Sequence, residues 1–209
     1  MAESNPNSKK RERRKDERPD EIVRAAIEVF CKEHYAKTTF GLVAQKLGIA
    51  RGTIYLYFPD KPALFKACIH EVFSQKKEMI RNSSVNSSMT LEEKLKSYIH
   101  VVSNTFSEGV FTEFLIMVLS ESRTDPILGQ IWFEEVVCEL KKIWDEGMVN
   151  ENIDDNSKKL LLIEMISPFL LSAISHRLFS DKSIHPNSEV LENILPSFLL
   201  SSLKNNQEG

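Results

Sequence analysis

Arg51, Thr53, Tyr55 and Tyr57 lie within seven positions and offer a guanidinium and three hydroxyls, groups suited to binding rather than to bond-breaking. A guanidinium presents a planar fork of donors that fits paired acceptors such as guanine O6 and N7. Threonine and tyrosine hydroxyls can meet phosphate oxygens, contacts that position a protein without reading sequence. Such groups need a rigid element to aim them, and they sit in TTFGLVAQKLGIARGTIYLYFPDK, residues 38–61. Leu42, Val43, Ala44 and Leu47 recur at helical spacing and predict one short helix. Gly48 can take the left-handed conformation that ends it. Ile54 and Phe58, four apart, anchor a second helix and leave the polar residues at other angles. Pro59 closes that helix, because proline cannot continue it without losing a hydrogen bond. Helix, tight turn and helix with a polar outer face is the geometry that lays a recognition helix into the major groove. The spacing therefore predicts a chain that reads DNA.

From near Arg18 through EIVRAAIEVFCKEHYAKTTFGLVAQKLGIARGTIYLYFPDKPALF, the chain resembles the N-terminal domain of the TetR family of bacterial transcriptional regulators. The distinctive parts are Thr39 opening a helix, the Ala44 to Gly48 segment, Gly52-Thr53-Ile54-Tyr55, Tyr57-Phe58, Lys61 and Leu64. The match covers roughly the first third of the chain, and beyond it only the layout is shared. The resemblance implies DNA contacts from Arg51, Gly52, Thr53, Tyr55 and Tyr57, with Lys61 reaching a phosphate from the start of the next helix. Gly52 would let the backbone approach closely, and Thr39 would cap its helix and offer the amide end to a phosphate. The competing role for the tyrosines is core packing, but Ile54 and Phe58 already fill the inward positions. Two residues depart from the family pattern. Gly41 stands where a basic or polar residue often touches DNA, and Ala50 stands where a serine usually caps.

The net charge of -3 hides an asymmetry. Residues 1–77 hold 16 Lys and Arg against 10 Asp and Glu, a balance of +6, and the remainder balances at -9. A basic N-terminal part attracts phosphate backbone and an acidic remainder repels it. Hydrophobic residues at 42% and charged residues at 27% are ordinary for a soluble globular protein, and few glycines with no strand-like alternation predict an all-α fold. Cys31, Cys68 and Cys138 lack metal-ligand spacing and are expected to be buried free thiols. The histidines form no i, i+4 pair, so no metal site is expected, and no cofactor either. No phosphate loop or nucleophile elbow argues for an enzyme. The charged N-terminus lacks an apolar leader core, and no apolar run approaches a membrane span, so a cytoplasmic protein is expected.

Along the chain, residues 1–17 are polar with a basic cluster, expected as a flexible arm that either solubilises the protein or adds DNA contacts. Residues 18–78 would form the helix-turn-helix domain and 79–209 a helical ligand-sensing and dimerisation domain. Thr90 and Glu93 form a capping-box pattern that starts a helix. An apolar helix follows over about 110–121, then one from Asp125-Pro126 to about Glu146. Helices are expected over about 158–179 and 188–203, kinked or broken at Pro168 and Pro196.

Phe106, Phe111, Phe114, Met117, Trp132, Phe133, Trp144, Met165 and Phe169 supply enough apolar surface for a ligand cavity, or for an ordinary packed core. Leu161, Ile166, Leu170, Ile174, Ile194, Phe198 and Leu199 give the last two helices broad apolar faces, which pair across a two-fold axis in the family. The resemblance implies a homodimeric repressor on a palindromic DNA operator, released by a partly apolar small-molecule effector. That effector would bind between the helices at 62–81 and 158–179 and move the first of them. The rival expectation is a helical protein-interaction module whose helix-turn-helix no longer reads DNA.

Overall fold

A computed structural model describes residues 6–84, 89–107, 109–179 and 188–207. Among them every regular element is helical: α1 (Pro6–Lys37), α2 (Phe40–Leu47), α3 (Arg51–Tyr55), α4 (Lys61–Ser84), α5 (Leu91–Ser107), α6 (Gly109–Glu121), α7 (Ile127–Trp132), α8 (Cys138–Gly147), α9 (Asp155–Phe179) and α10 (Ser188–Gln207). A π-helical turn, Phe133–Val137, joins α7 to α8. The all-α expectation holds.

The chain divides into two compact units, and they interleave in sequence. The first comprises Met1–Glu71 and Met117–Trp132; the second comprises Val72–Ile116 and Phe133–Gly209. The sequence-based boundary near residue 78 thus differs from the compact units, because the end of α6 and α7 belong with the N-terminal helices. In the first unit, Phe30, Tyr35 and Phe65 form an aromatic cluster with ring centroids 5.1 to 5.9 Å apart. Ile22, Ala26, Val43, Ile54 and Leu64 are fully buried around it. In the second unit, Tyr98 packs on Trp144 at 5.3 Å, and the Trp144 indole donates to the Lys158 carbonyl. Lys94, itself buried, pairs with Glu151 and donates to the Gly147 carbonyl, which ties α5 to the turn after α8.

Four expectations need correction here. Residues 1–5 of the expected arm lie outside the described residues; from Pro6 the chain is helical, and α1 runs through Pro19. Its Lys, Arg and Glu residues have good helix propensity, which low apolar content does not cancel. Of the kink or break expected at Pro168 and Pro196, a break is absent: α9 and α10 continue through both. The helix expected from Asp125 to Glu146 is divided by the π turn. Of the three thiols only Cys68 is buried; Cys31 is half-buried and Cys138 exposed at the start of α8. Burial pushes the Cys68 thiol far above its ordinary range.

Candidate nucleic-acid interface and ligand cavity

The recognition segment is held by caps and one aromatic contact. Thr39 has extended backbone and its hydroxyl accepts from the Leu42 amide at 3.3 Å, capping α2. Gly48 ends α2 at φ 65, ψ 34, the left-handed conformation its lack of Cβ permits. Ala50 gives α3 no side-chain cap. Ile54 is fully buried and anchors α3 from below, while Phe58 is only half-buried.

Arg51, Gly52 and Tyr55 are exposed, and Thr53 and Tyr57 are partly so. The Tyr55 ring leans on Phe40 with centroids 4.7 Å apart, yet the residue keeps 47% of its surface. Arg51 donates to the Tyr55 hydroxyl at 2.9 Å, and its guanidinium lies 5.5 Å from the ring centroid. Tyr55 therefore packs and faces outward at once, and it braces Arg51 on the same surface. Tyr57 lies beyond the end of α3, in the turn that follows. Leu56, 79% exposed, was missed. It lies two residues past Ile54, about 200° around a helix, so the burial of Ile54 was itself the signal.

Lys61 does something the sequence did not indicate. Its ammonium donates to the Tyr35 carbonyl at 2.9 Å and the Ala36 carbonyl at 3.5 Å, and sits 4.2 Å from the Tyr35 ring centroid. It is a brace for the corner between α1 and α2. That corner begins at His34, whose φ 60, ψ 171 is a conformation open essentially to glycine alone. The Glu121 carboxylate, from the end of α6, accepts from the Tyr35 amide at 3.2 Å and the Ala36 amide at 2.7 Å. Thr38 adds a hydroxyl bond to the His34 carbonyl at 2.7 Å. Both amides freed by the bend thus find a charged acceptor, and both carbonyls find a charged donor. The corner fixes where α2 starts, and α2 carries α3. Burial, with the charges of Asp125, Asp60 and Glu121 nearby, pushes the Tyr35 phenol up to about 12.

The second unit contains a cavity of about 490 Å³, lined by Phe106 and Ser107 of α5, Gly109, Thr112 and Glu113 of α6, and Phe169, Ser172, Ala173, His176 and Arg177 of α9, with Ser188 of α10. Its size falls within the ~300 to 1,000 Å³ of small-molecule sites. No residue of α4 lines it. Of the nine residues proposed for a pocket, only Phe106 and Phe169 reach it. Phe111, Phe114, Met117, Trp144 and Met165 are buried core. Phe133, at the start of the π turn, is exposed and Trp132, at the end of α7, is half-buried; neither is among the lining residues. Most aromatic bulk went to packing, and the cavity drew hydroxyls and charges that periodicity does not flag.

The last two helices expose apolar residues. On α9 Leu160, Ile163 and Leu171 are exposed, and on α10 Val190, Ile194 and Phe198 are, at helical spacing. Among the seven residues proposed for an interface, Leu161 and Leu199 instead point into the core; Ile166, Leu170 and Ile174 are half-buried; Ile194 and Phe198 are 62% and 55% exposed. The segment Asp155–Arg177 is, by length and composition alone, apolar enough to cross a membrane, contrary to the expectation of no such run.

Residues 22–68 match the family described as bacterial regulatory proteins, tetR family. An HTH-type transcriptional regulator of Bacillus subtilis, YerO, is 27% identical over 137 residues, 64% of this chain and 46% of YerO. The fatty acid metabolism regulator protein of the same organism is 33% identical over 99 residues, 44% of this chain and 47% of that one. The chain thus matches less than half the length of either relative. Among solved structures, a TetR-family regulator of Mesorhizobium loti superposes with TM-score 0.71 at 18% identity, covering 90% of this chain and 96% of that one. Bacillus subtilis FadR in complex with stearoyl-CoA gives 0.62 at 22% identity, covering 87% and 97%. Those identities establish a shared fold. Residues 22–68 thus carry the match to the tetR family of bacterial regulatory proteins, and the chain shares the fold of a solved TetR-family structure.

Proposed function

We propose that this chain is a homodimeric repressor that binds a palindromic DNA operator in the cytoplasm and releases it when a small molecule fills the cavity beside α9. The observation that carries DNA binding is the exposed edge of α3, where Arg51 and Tyr55 brace one another above a buried Ile54. Arg51, Gly52, Thr53 and Tyr55 face the groove, Tyr57 and the α2 amide end at Thr39 meet phosphates, and Lys61 acts by holding the α1–α2 corner. The proposed domain roles are DNA reading for residues 18–78 and sensing and dimerisation for 79–209, apart from Met117–Trp132, which pack into the first unit.

The apolar face of α9 and α10 is read as the dimer interface rather than a membrane span. Lys158, Lys159, Glu164, His176 and Arg177 interrupt or flank the apolar run, and only one of the two helices is apolar enough to span. A dimer places two recognition helices on successive half-sites. The Bacillus fatty acid metabolism regulator and the stearoyl-CoA complex of FadR make fatty acyl compounds the first candidates for the effector. Helix α6 supports a route for the signal that differs from movement of α4. Its first turn, Gly109 to Glu113, lines the cavity, and its last residue, Glu121, holds the Tyr35 and Ala36 amides. A ligand that prefers one position of α6 would shift operator affinity by that preference and no more.

The test is selection of bound duplexes from random DNA, with the salt dependence of the winner. An inverted repeat with a steep salt slope is the expected result. Absence of enrichment at low salt would favour a helical interaction module that no longer reads DNA.

A further inference from the structure

The cavity wall carries one ion pair whose two partners are unequally committed. Arg177 of α9 donates to the Glu113 carboxylate of α6 at 3.3 Å, with the arginine side chain half-exposed and the glutamate largely covered. Long and solvent-washed, such a pair contributes little and exchanges readily. A guanidinium has five donors, and this contact uses one of them. The hydroxyls on the α6 side are already spent: Ser107 donates to the Ser103 carbonyl at 2.9 Å and Thr112 to the Phe106 carbonyl at 3.1 Å. The charged donor facing a ligand is therefore on α9, where His176 adjoins Arg177. Along the same face of α9, one and two turns before Arg177, lie the methyl of Ala173 and the edge of the buried Phe169 ring, and α5 adds Phe106.

We infer that the cavity takes an amphipathic anion, its chain on Phe106, Phe169 and Ala173 and its anionic head, carboxylate or phosphate, on Arg177 in place of Glu113. This deepens the effector proposal above and rests on it. Glu113 is a stand-in anion in the empty cavity, and it sets specificity. A short anion lacking a chain gains too little apolar contact to displace it, and a neutral amphiphile has nothing to offer Arg177. The exchange frees the first turn of α6 from α9, which couples head-group recognition to the helix that ends at Glu121.

The experiment is calorimetric titration of the full chain with hexadecanoate, hexadecanoyl-CoA, hexadecan-1-ol and hexadecylamine, each below its aggregation threshold. One or both anions should bind more tightly than the alcohol and the amine. Arg177→Gln should weaken the anions about tenfold or more, Glu113→Gln should tighten them severalfold, and neither should move the alcohol. A greater loss for the CoA ester than for hexadecanoate assigns the head to phosphate, and the reverse assigns it to carboxylate. Unchanged anion affinity in Arg177→Gln, preference for the amine, or no binding of any probe overturns the inference. Ala173→Trp and Ser172→Phe, each checked for native helicity, fill the cavity and should abolish binding of every probe. If both fillers bind like the wild type, the cavity is not the effector site, and it is the site rather than the head-group assignment that has failed.

Discussion

Tyr55 combines a ring contact with Phe40 and a hydroxyl shared with Arg51, so its two parts can be separated by substitution. Tyr55→Phe keeps the packing and removes the hydroxyl, and it should cost about 1 kcal/mol of operator affinity with the fold intact. Arg51→Ala should cost about 1 to 3 kcal/mol and relax preference at one base pair if the guanidinium reads guanine. Fluorescence anisotropy on the selected operator and its single-base variants measures both; equal binding by wild type and both variants would remove α3 from the interface. His34 makes a different prediction. Its φ of 60 with ψ of 171 strains any residue with a Cβ, so His34→Gly should raise stability by about 1 kcal/mol in urea unfolding. A loss of stability would mean that the side chain matters more than the backbone. Residues with local signals were legible beforehand: Thr39 as a cap, Gly48 as a left-handed stop, Ala50 as a weak cap. His34 was not, because the acceptor that stabilises its bend is Glu121, far along the chain.

At the scale of elements, the α1–α2 corner is one device built from α1, α4 and α6, and Tyr35 reports on it. The Tyr35 phenol holds its proton up to about 12 in the folded chain, against an ordinary value near 10. Between those values the folded state binds more protons than the unfolded state. Stability is therefore unaffected by this group below pH ~10 and falls as pH rises toward 12. Melting curves from pH 9 to 12 should fall more steeply for the wild type than for Tyr35→Phe; parallel curves would mean that the phenol is not the group being titrated. Helices with regular apolar spacing were readable from sequence, and α9 and α10 appear nearly where spacing put them. The cavity was not. It depends on which side chains interlock: Phe114, Trp144 and Phe169 are all buried, and only Phe169 of these also borders the open space beside Phe106.

For the whole molecule, the exposed apolar face of α9 and α10 makes a prediction about assembly. Ile194→Lys and Phe198→Glu place charges on a surface that carries little intramolecular packing, so they should leave helicity unchanged. Sedimentation should show a dimer for the wild type and monomers for the double variant, with operator affinity reduced by the loss of paired half-sites. A double variant that stays dimeric would move the interface elsewhere. The broad apolar faces were visible in sequence, but not which residues of each face turn outward: Leu161 and Ile163 are two positions apart and lie on opposite sides of α9. The interleaving of the two compact units has a consequence for shuffling such proteins. An N-terminal unit cut after Glu71 leaves behind Met117–Trp132, and with it Glu121. Grafting that unit onto the second unit of a protein of the same fold would supply a foreign residue at the corner below α2. Working chimeras should require two crossovers that carry residues 117–132 along with the N-terminal unit, so that what is inherited as a module is discontinuous in the gene.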